Sequence, residues 1–245
     1  MMRLALLALA IFAGPVWAAD CRNLSHASNS YTLCEVDVTR EELRLFLYDE
    51  TGALYGQFSS VDDALGERGQ SLGFAMNAGM YHDDRAPVGH YVEDGRELMR
   101  VIPNAGPGNF GLLPNGILCL SSGQALVLET LHFVETTPDC TYATQSGPML
   151  VIDGALHPRF LIDSTSRYVR NGVGTNADGT KAVFVISNNV VTFHEFGSLF
   201  RDVLDLPNAL YFDGSISRLY APDLGRDDFG FALGPIIGTV IPAAK

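Results

Sequence analysis

The sequence predicts an α+β domain that is β-rich, with mainly antiparallel sheets, a few short helices and one core. Three observations predict it. Apolar runs are short, about four to eight residues, and end in clusters of Gly, Asn, Asp and Ser. The 25 glycines and 12 prolines are spread along the chain and are not gathered in a linker. Many neighbouring runs are separated by turns of hairpin length, which favours antiparallel pairing. The 245 residues suffice for one substantial core, and no internal repeat or low-complexity tract divides them.

The elements follow in order. Arg3 gives a basic start, Leu4 to Ala13 is unbroken apolar chain, Gly14-Pro15 breaks it, and Val16-Trp17-Ala18-Ala19 offers small residues for cleavage. Residues 1–19 therefore read as a signal peptide and 20–245 as the mature domain. The apolar stretch is shorter than the roughly 20 residues a spanning helix needs, so no membrane anchor is expected. Cys21 lies near the cut, but Asp20 stands where a lipobox requires a small uncharged residue, which argues against lipidation. A periplasmic or secreted location is expected.

Tyr31 to Val38 and Leu43 to Tyr48 read as strands, and Val61 to Arg68 as a short helix capped by Ser59 or Ser60. Leu72 to Met76 is a strand ending in Asn77-Ala78-Gly79. Gly89 to Val92 enters a hairpin turn at Glu93-Asp94-Gly95. Gly111 to Leu113 and Ile117 to Leu120 flank the turn Pro114-Asn115-Gly116, and Ala125 to Glu129 follows Ser121-Ser122-Gly123. Met149 to Ile152, Lys181 to Ser187, Val190 to Phe193 and Ala209 to Phe212 complete the strands. Phe196, Leu199, Phe200, Val203 and Leu204 share one helical face, ended by Pro207.

Sixteen basic residues against 28 acidic ones give a formal net charge of −12. Such a chain is a poor general binder of nucleic acid or anionic lipid, although a few arginines can still gather one anion. Four cysteines, an even count beside an export signal, favour disulfides over zinc, and no C-x-x-C spacing is present. Proximity favours Cys21 with Cys34 and Cys119 with Cys140 among the three possible pairings.

Five segments share one form, an apolar strand or turn with polar, glycine-containing neighbours: Asn77-Ala78-Gly79-Met80, Pro87-Val88-Gly89, Ser146-Gly147-Pro148, Arg170-Asn171-Gly172-Val173-Gly174 and Asp213-Gly214-Ser215-Ile216-Ser217. Polar groups at strand ends are a good way to build a site on a rigid scaffold. Each segment alone is an ordinary hairpin signal. The ordered set, from about Leu72 to Val240, resembles the phosphodiester glycosidase domain family, that of the lysosomal uncovering enzyme and its bacterial exported relatives. Ala78 and the pair Ser215-Ile216 depart from the glycine-rich spacing of that family and narrow the expected pocket.

The resemblance implies an exported hydrolase that cleaves the glycosidic bond of a sugar-1-phosphodiester, giving free sugar and a phosphomonoester. Its partner would be a sugar phosphodiester or envelope glycan, with no nucleic acid and no cofactor. Such chemistry needs a cation for the leaving phosphate and a base for the attacking water. Arg170 is the candidate cation, with Arg167 second and the backbone at Asn171 and Gly172 as further donors. Asp213 is the candidate carboxylate, and an Asx turn is its structural alternative. Asn77, Gly79, Ser146, Gly147, Gly214, Ser215 and Ser217 are candidates for binding the substrate. Phe110, Tyr81, Tyr91 and Tyr142 are aromatic enough to stack on a sugar but are also ordinary core residues. His82-Asp83-Asp84 suggests a metal less strongly than it suggests a solvated loop, and no metal is expected. Two rival readings remain: a non-catalytic envelope protein that binds a glycan or sugar phosphate, and a metal-dependent phosphodiesterase that cuts the P–O bond.

Overall fold

The structure, a computed structural model, describes residues 19–243; all but the last residue of the expected signal peptide lies outside them. The chain opens with a hairpin, β1 (Asp20–His26) and β2 (Asn29–Asp37). Then come β3 (Glu42–Phe46), α1 (Phe58–Gly66), β4 (Gln70–Asn77), β5 (Tyr91–Glu93) and β6 (Arg96–Met99). The middle of the chain gives β7 (Gly116–Ser121), β8 (Gln124–Glu129), α2 (Thr130–Thr136), β9 (Tyr142–Ser146), β10 (Met149–Ile152) and β11 (Ala155–Leu156). The last third gives β12 (Asn171–Thr175), β13 (Lys181–Ser187), α3 (Phe193–Ser198), β14 (Asn208–Asp213), β15 (Leu219–Ala221), β16 (Arg226–Asp227) and β17 (Ile236–Pro242).

Three sheets result, ordered β1-β2-β13-β12-β14-β10-β11, β16-β15-β4-β17-β3 and β6-β5-β9-β7-β8. All pairings among them are antiparallel. The core follows from strand alternation, which gives each strand two faces. Phe74 and Met76 from the second sheet, Val173, Phe184 and Phe212 from the first, and Leu118 and Val127 from the third meet in one buried cluster. The opposite face of the first sheet buries Leu33, Val185 and Tyr211 beneath Phe196, Leu199 and Phe200. Helix α1 covers the second sheet with Phe58, Val61 and Leu65.

The disulfides join Cys21 to Cys34, directly opposed across the β1–β2 hairpin, and Cys119 to Cys140. The turn at Asp94-Gly95 has both residues at positive φ, 51° and 73°, the geometry that suits a tight hairpin.

Several expectations are corrected. The first helix starts earlier, at Phe58, and its N-cap is Gln57 rather than a serine. The third starts at Phe193, because Thr192 and Glu195 form a reciprocal capping box there: Glu195 N donates to Thr192 Oγ1 (3.1 Å) and Thr192 N to Glu195 Oε2 (2.8 Å). That cap takes Phe193 out of the expected strand, leaving only a bridge between Val191 and Tyr168. The helix then continues as a π-helical turn over Leu199–Val203. Gly111 to Leu113 is turn, not strand. Helix α2, only seven residues long with apolar residues on both faces, and strand β1, mostly polar, were not expected.

Candidate functional site

Strand ends of all three sheets converge on Asn171, which is fully buried at the start of β12. Its Nδ2 donates to both Oδ1 and the main-chain oxygen of Asn77, each at 3.0 Å. Its Oδ1 accepts from Asp213 N (3.1 Å). Asn77 Oδ1 also accepts from Arg218 N (2.9 Å). Ser146, at the end of β9, donates to Phe212 O (2.9 Å). Ser217 Oγ lies within reach of Asp213 O (3.0 Å) and Val169 O (3.1 Å). Buried polar side chains must be matched, and here each matches one strand end to another. Asn77, Asn171, Ser146 and Ser217 are thus a frame.

That frame holds Asp213. Strand β14 carries one extra residue against β12, so Asn171 pairs with Asp213 while Gly172 pairs with Tyr211. Bulges of this kind re-aim a side chain at a strand end. Asp213 Oδ1 accepts from Gly214 N (2.6 Å) and Ser215 N (2.8 Å). The Asx turn is therefore real, and it orients the carboxylate. Burial pushes the Asp213 carboxyl above its usual range, and the amides of Ser215, Gly214 and Ile216 pull it partly back.

Arg170 lies one residue before β12, and its side chain is only 1% exposed. Its main-chain N donates to Ser187 Oγ (2.9 Å), its Nε to Val191 O (3.0 Å) and its Nη2 to Ser166 O (3.2 Å). The guanidinium lies 3.6 Å from the centre of the Phe193 ring and 5.4 Å from those of Tyr168 and Tyr211. No carboxylate is among the groups that act on its charge, and burial lowers its affinity for a proton. Nη1 is buried without a hydrogen bond of good geometry, although the Tyr211 hydroxyl is close enough to interact. The guanidinium is thus held by two main-chain oxygens and three aromatic rings, with the Tyr211 hydroxyl beside its remaining nitrogen.

Asp213 and Arg170 do not touch. Tyr211 lies between them: its hydroxyl abuts Gly214, and both charges act on it, Asp213 raising its pKa and Arg170 lowering it. Tyr81 is the other aromatic group within reach of Asp213; burial and that carboxylate push it up to about 12, and its buried hydroxyl is unmatched. A groove of about 600 Å³ lies elsewhere, lined in part by Val92, Phe133 and Cys140.

The other candidates are placed as follows. Arg167 is not free for phosphate, because it makes a two-pronged ion pair with Glu195 at 2.8 and 3.0 Å. The backbone at Asn171 and Gly172 runs inside the sheet with strands on both sides, so the ladder occupies it. Gly79 and Gly147 permit close approach of segments: a Cβ at Gly79 would lie 2.5 Å from Gln145 O, and one at Gly147 2.7 Å from Asn115 Cβ. Ser215 is exposed beside Asp213. Tyr91 belongs to the central cluster, Phe110 packs on Gly89, and Tyr142 hydrogen-bonds Asp94, away from Asp213. His82 to Ala86 forms a tight turn closed by His82 N to Ala86 O. Sequence reading missed Tyr211, Tyr168 and Phe193 as neighbours of Arg170 and Asp213, and Arg218 as a clamp beside them. Only Tyr211 carried a signal, since it precedes Asp213 by two positions along one strand.

Comparison with known proteins adds the following. Residues 71–228 match the model of the phosphodiester glycosidase family. The uncharacterized protein YigE of Escherichia coli (strain K12) is 32% identical over 217 residues, covering 89% of this chain and 83% of YigE. A hypothetical protein from Synechocystis superposes with TM-score 0.60 at 13% identity, over 94% of this chain and 64% of its own length. The chain thus spans less than two thirds of that protein. The catalytic domain of zebrafish N-acetylglucosamine-1-phosphodiester alpha-N-acetylglucosaminidase, auto-inhibited by its pro-peptide, superposes with TM-score 0.56 at 12% identity, over 96% of this chain and 85% of that one.

Proposed function

We propose a function from one premise: the chain belongs to the phosphodiester glycosidase family. The protein hydrolyses the glycosidic bond of a sugar-1-phosphodiester. Water adds to the anomeric carbon and loses its proton to Asp213. The bond from that carbon to the bridging oxygen breaks, and its electron pair leaves with the phosphate. The products are a free sugar and a phosphomonoester. Arg170 stabilises the departing anion, and Tyr211 and Tyr81 wall the space beside Asp213. Asn77, Asn171, Ser146 and Ser217 hold the geometry rather than contact the substrate, while Ser215 and the Gly214 backbone border it.

One observation carries the reading. Arg170 is a buried cation with no carboxylate and an open donor, on the other side of Tyr211 from a carboxylate whose pKa burial raises. Phosphoryl anions favour such a guanidinium, and a raised carboxyl suits proton transfer. The zebrafish relative is named for the same class of bond, which supports the reaction type. The sequence signal at residues 1–19 and the two disulfides support export to an oxidising compartment.

The test is product analysis. Purified mature protein is incubated with a panel of sugar-1-phosphodiesters, with and without EDTA. Free sugar plus a phosphomonoester, unchanged by EDTA, is the expected result. Sugar phosphate that vanishes with EDTA would replace the proposal with P–O cleavage by a metal phosphodiesterase. Binding without any product would make the protein a receptor for the same ligand.

A further inference from the structure

Of the rings gathered around Arg170 and Asp213, Tyr211 is fully buried and Tyr81 and Phe193 are partly covered, whereas Tyr168 is 53% exposed. A lone exposed ring needs no explanation by itself. This one lies against both charged groups of the candidate site. Its Cβ is 3.5 Å from where a Cβ on Gly214 would stand, beside the turn that holds Asp213. Its ring centre is 5.4 Å from the Arg170 guanidinium.

The chain puts it there for a local reason. Residues 168–170 lead into β12, and in extended backbone side chains two apart share a side. Val169 packs on the central cluster, so Tyr168 and Arg170 face away from it together. The backbone is pinned on both sides: Tyr168 N donates to Val191 O (3.1 Å), Val191 N to Tyr168 O (2.8 Å), and Ser217 Oγ to Val169 O (3.1 Å). On such a backbone a tyrosine, with two side-chain torsions, presents its ring at small entropic cost. The core gains little from a ring left half in water. Nor does Arg170 need it for cover, because Phe193 already stacks on the guanidinium at 3.6 Å.

Ligand chemistry supplies what such a ring lacks. A pyranose carries hydroxyls around its rim and apolar C–H groups on its faces, and those faces pack on aromatic walls as other apolar ligand surfaces do. In the proposed substrate the sugar is joined to phosphate at the carbon that Asp213 serves, and the phosphate lies at Arg170. A ring that adjoins the Asp213 turn on one side and Arg170 on the other stands next to the sugar end of that bond.

We propose that Tyr168 is a sugar-binding residue, its ring packing on a C–H face of the sugar whose phosphate Arg170 receives. This role rests on the phosphodiester reading and adds to it the residue that meets the sugar. Tyr168 transfers no proton and forms no bond. It acts on binding, so its effect belongs in KM and not in kcat.

The experiment pairs steady-state kinetics on a sugar-1-phosphodiester with equilibrium dialysis of the same compound. Tyr168→Ala should raise KM about tenfold, the loss of one aromatic packing contact, and change kcat by less than about twofold. Circular dichroism and the urea midpoint should be unchanged, because the side chain is more than half in water. Tyr168→Phe should restore KM, since the ring and not the hydroxyl carries the contact. The free sugar should inhibit Tyr168→Ala about tenfold more weakly than the wild type, while inorganic phosphate inhibits both alike. Equal KM in wild type and Tyr168→Ala overturns the proposal. So does weakened inhibition by phosphate, which would make the ring a cover for Arg170, or a KM effect that follows the aglycone and spares inhibition by free sugar. If the wild type binds the phosphodiester without cleaving it, the hydrolase reading fails alone and the same variants test Tyr168 through Kd. A wild type that neither binds nor cleaves the panel overturns both.

Discussion

Arg218 and Arg170 are both buried arginines near Asp213, and they are satisfied in different ways. Arg218 donates from all three guanidinium nitrogens, to Asp228 O, Phe231 O and Gln57 Oε1, within 2.8–2.9 Å. The charges of Asp227 and Asp228 support it, and its guanidinium lies 5.1 Å from the Phe58 ring centre. Arg170 has three aromatic rings, no carboxylate and a spare donor. An arginine whose donors are all used is a clamp between segments. One held by two main-chain oxygens, aromatic rings and a tyrosine hydroxyl, with no carboxylate nearby, keeps more of its charge unmatched. The contrast separates a clamp from a candidate anion receptor.

The largest expected effect tests the carboxylate on the other side of Tyr211 from Arg170. Asp213→Asn should lower kcat about 10³-fold, with circular dichroism unchanged, because the amide oxygen can still accept from Gly214 and Ser215. In the wild type, kcat/KM should rise with pH through the Asp213 pKa, which burial places above the usual 3.8, because the base acts when ionised. Turnover that survives the substitution would remove Asp213 from the chemistry.

Next is the open arginine itself. Arg170→Lys should lower kcat/KM about 100-fold, since an ammonium cannot reproduce the planar fork, while urea denaturation shows a smaller stability change than at Arg218. The clamp should behave oppositely. Arg218→Met keeps the apolar stem but strands two carbonyls and Gln57, and should cost about 2–4 kcal/mol of stability, with kcat of the folded protein nearly unchanged. If both substitutions struck activity and stability equally, the contrast between receptor and clamp would fail.

The smallest effect isolates burial of a charge away from both arginines. Burial pushes Glu93 up to about 7, while a hydrogen bond from the Tyr91 hydroxyl (2.7 Å) pulls the other way. Its folded pKa lies above the unfolded value near 4.5, so the native state holds the proton longer. Stability is therefore lost as pH rises from about 4.5 to about 7. Glu93→Gln should raise Tm by at least about 2–4 °C at pH 8 and leave it unchanged at about pH 3.5, below the unfolded pKa. A shift of the same size at both values would deny Glu93 that titration.

Much of this was legible in the chain alone. Short apolar runs between Gly and Asn/Asp turns specified β-strands, because hairpins are local and their turn residues act on their own backbone. The family was legible from five ordered motifs, and so was the place of Asp213 at a strand end, because the apolar run Ala209 to Phe212 stops at Asp-Gly. Arg167 and Arg170 could not be told apart by sequence. Their fates were decided by Glu195, which the Thr192 capping box holds against Arg167, and by Phe193, Tyr168 and Tyr211, which enclose Arg170. Asn77 and Asn171 read as candidates for holding the substrate and instead bridge two sheets, across 94 residues of chain. Strand content and turn position are local properties, written in a few consecutive residues. Which polar groups are satisfied, and which is left open for a ligand, depends on partners that only packing brings together.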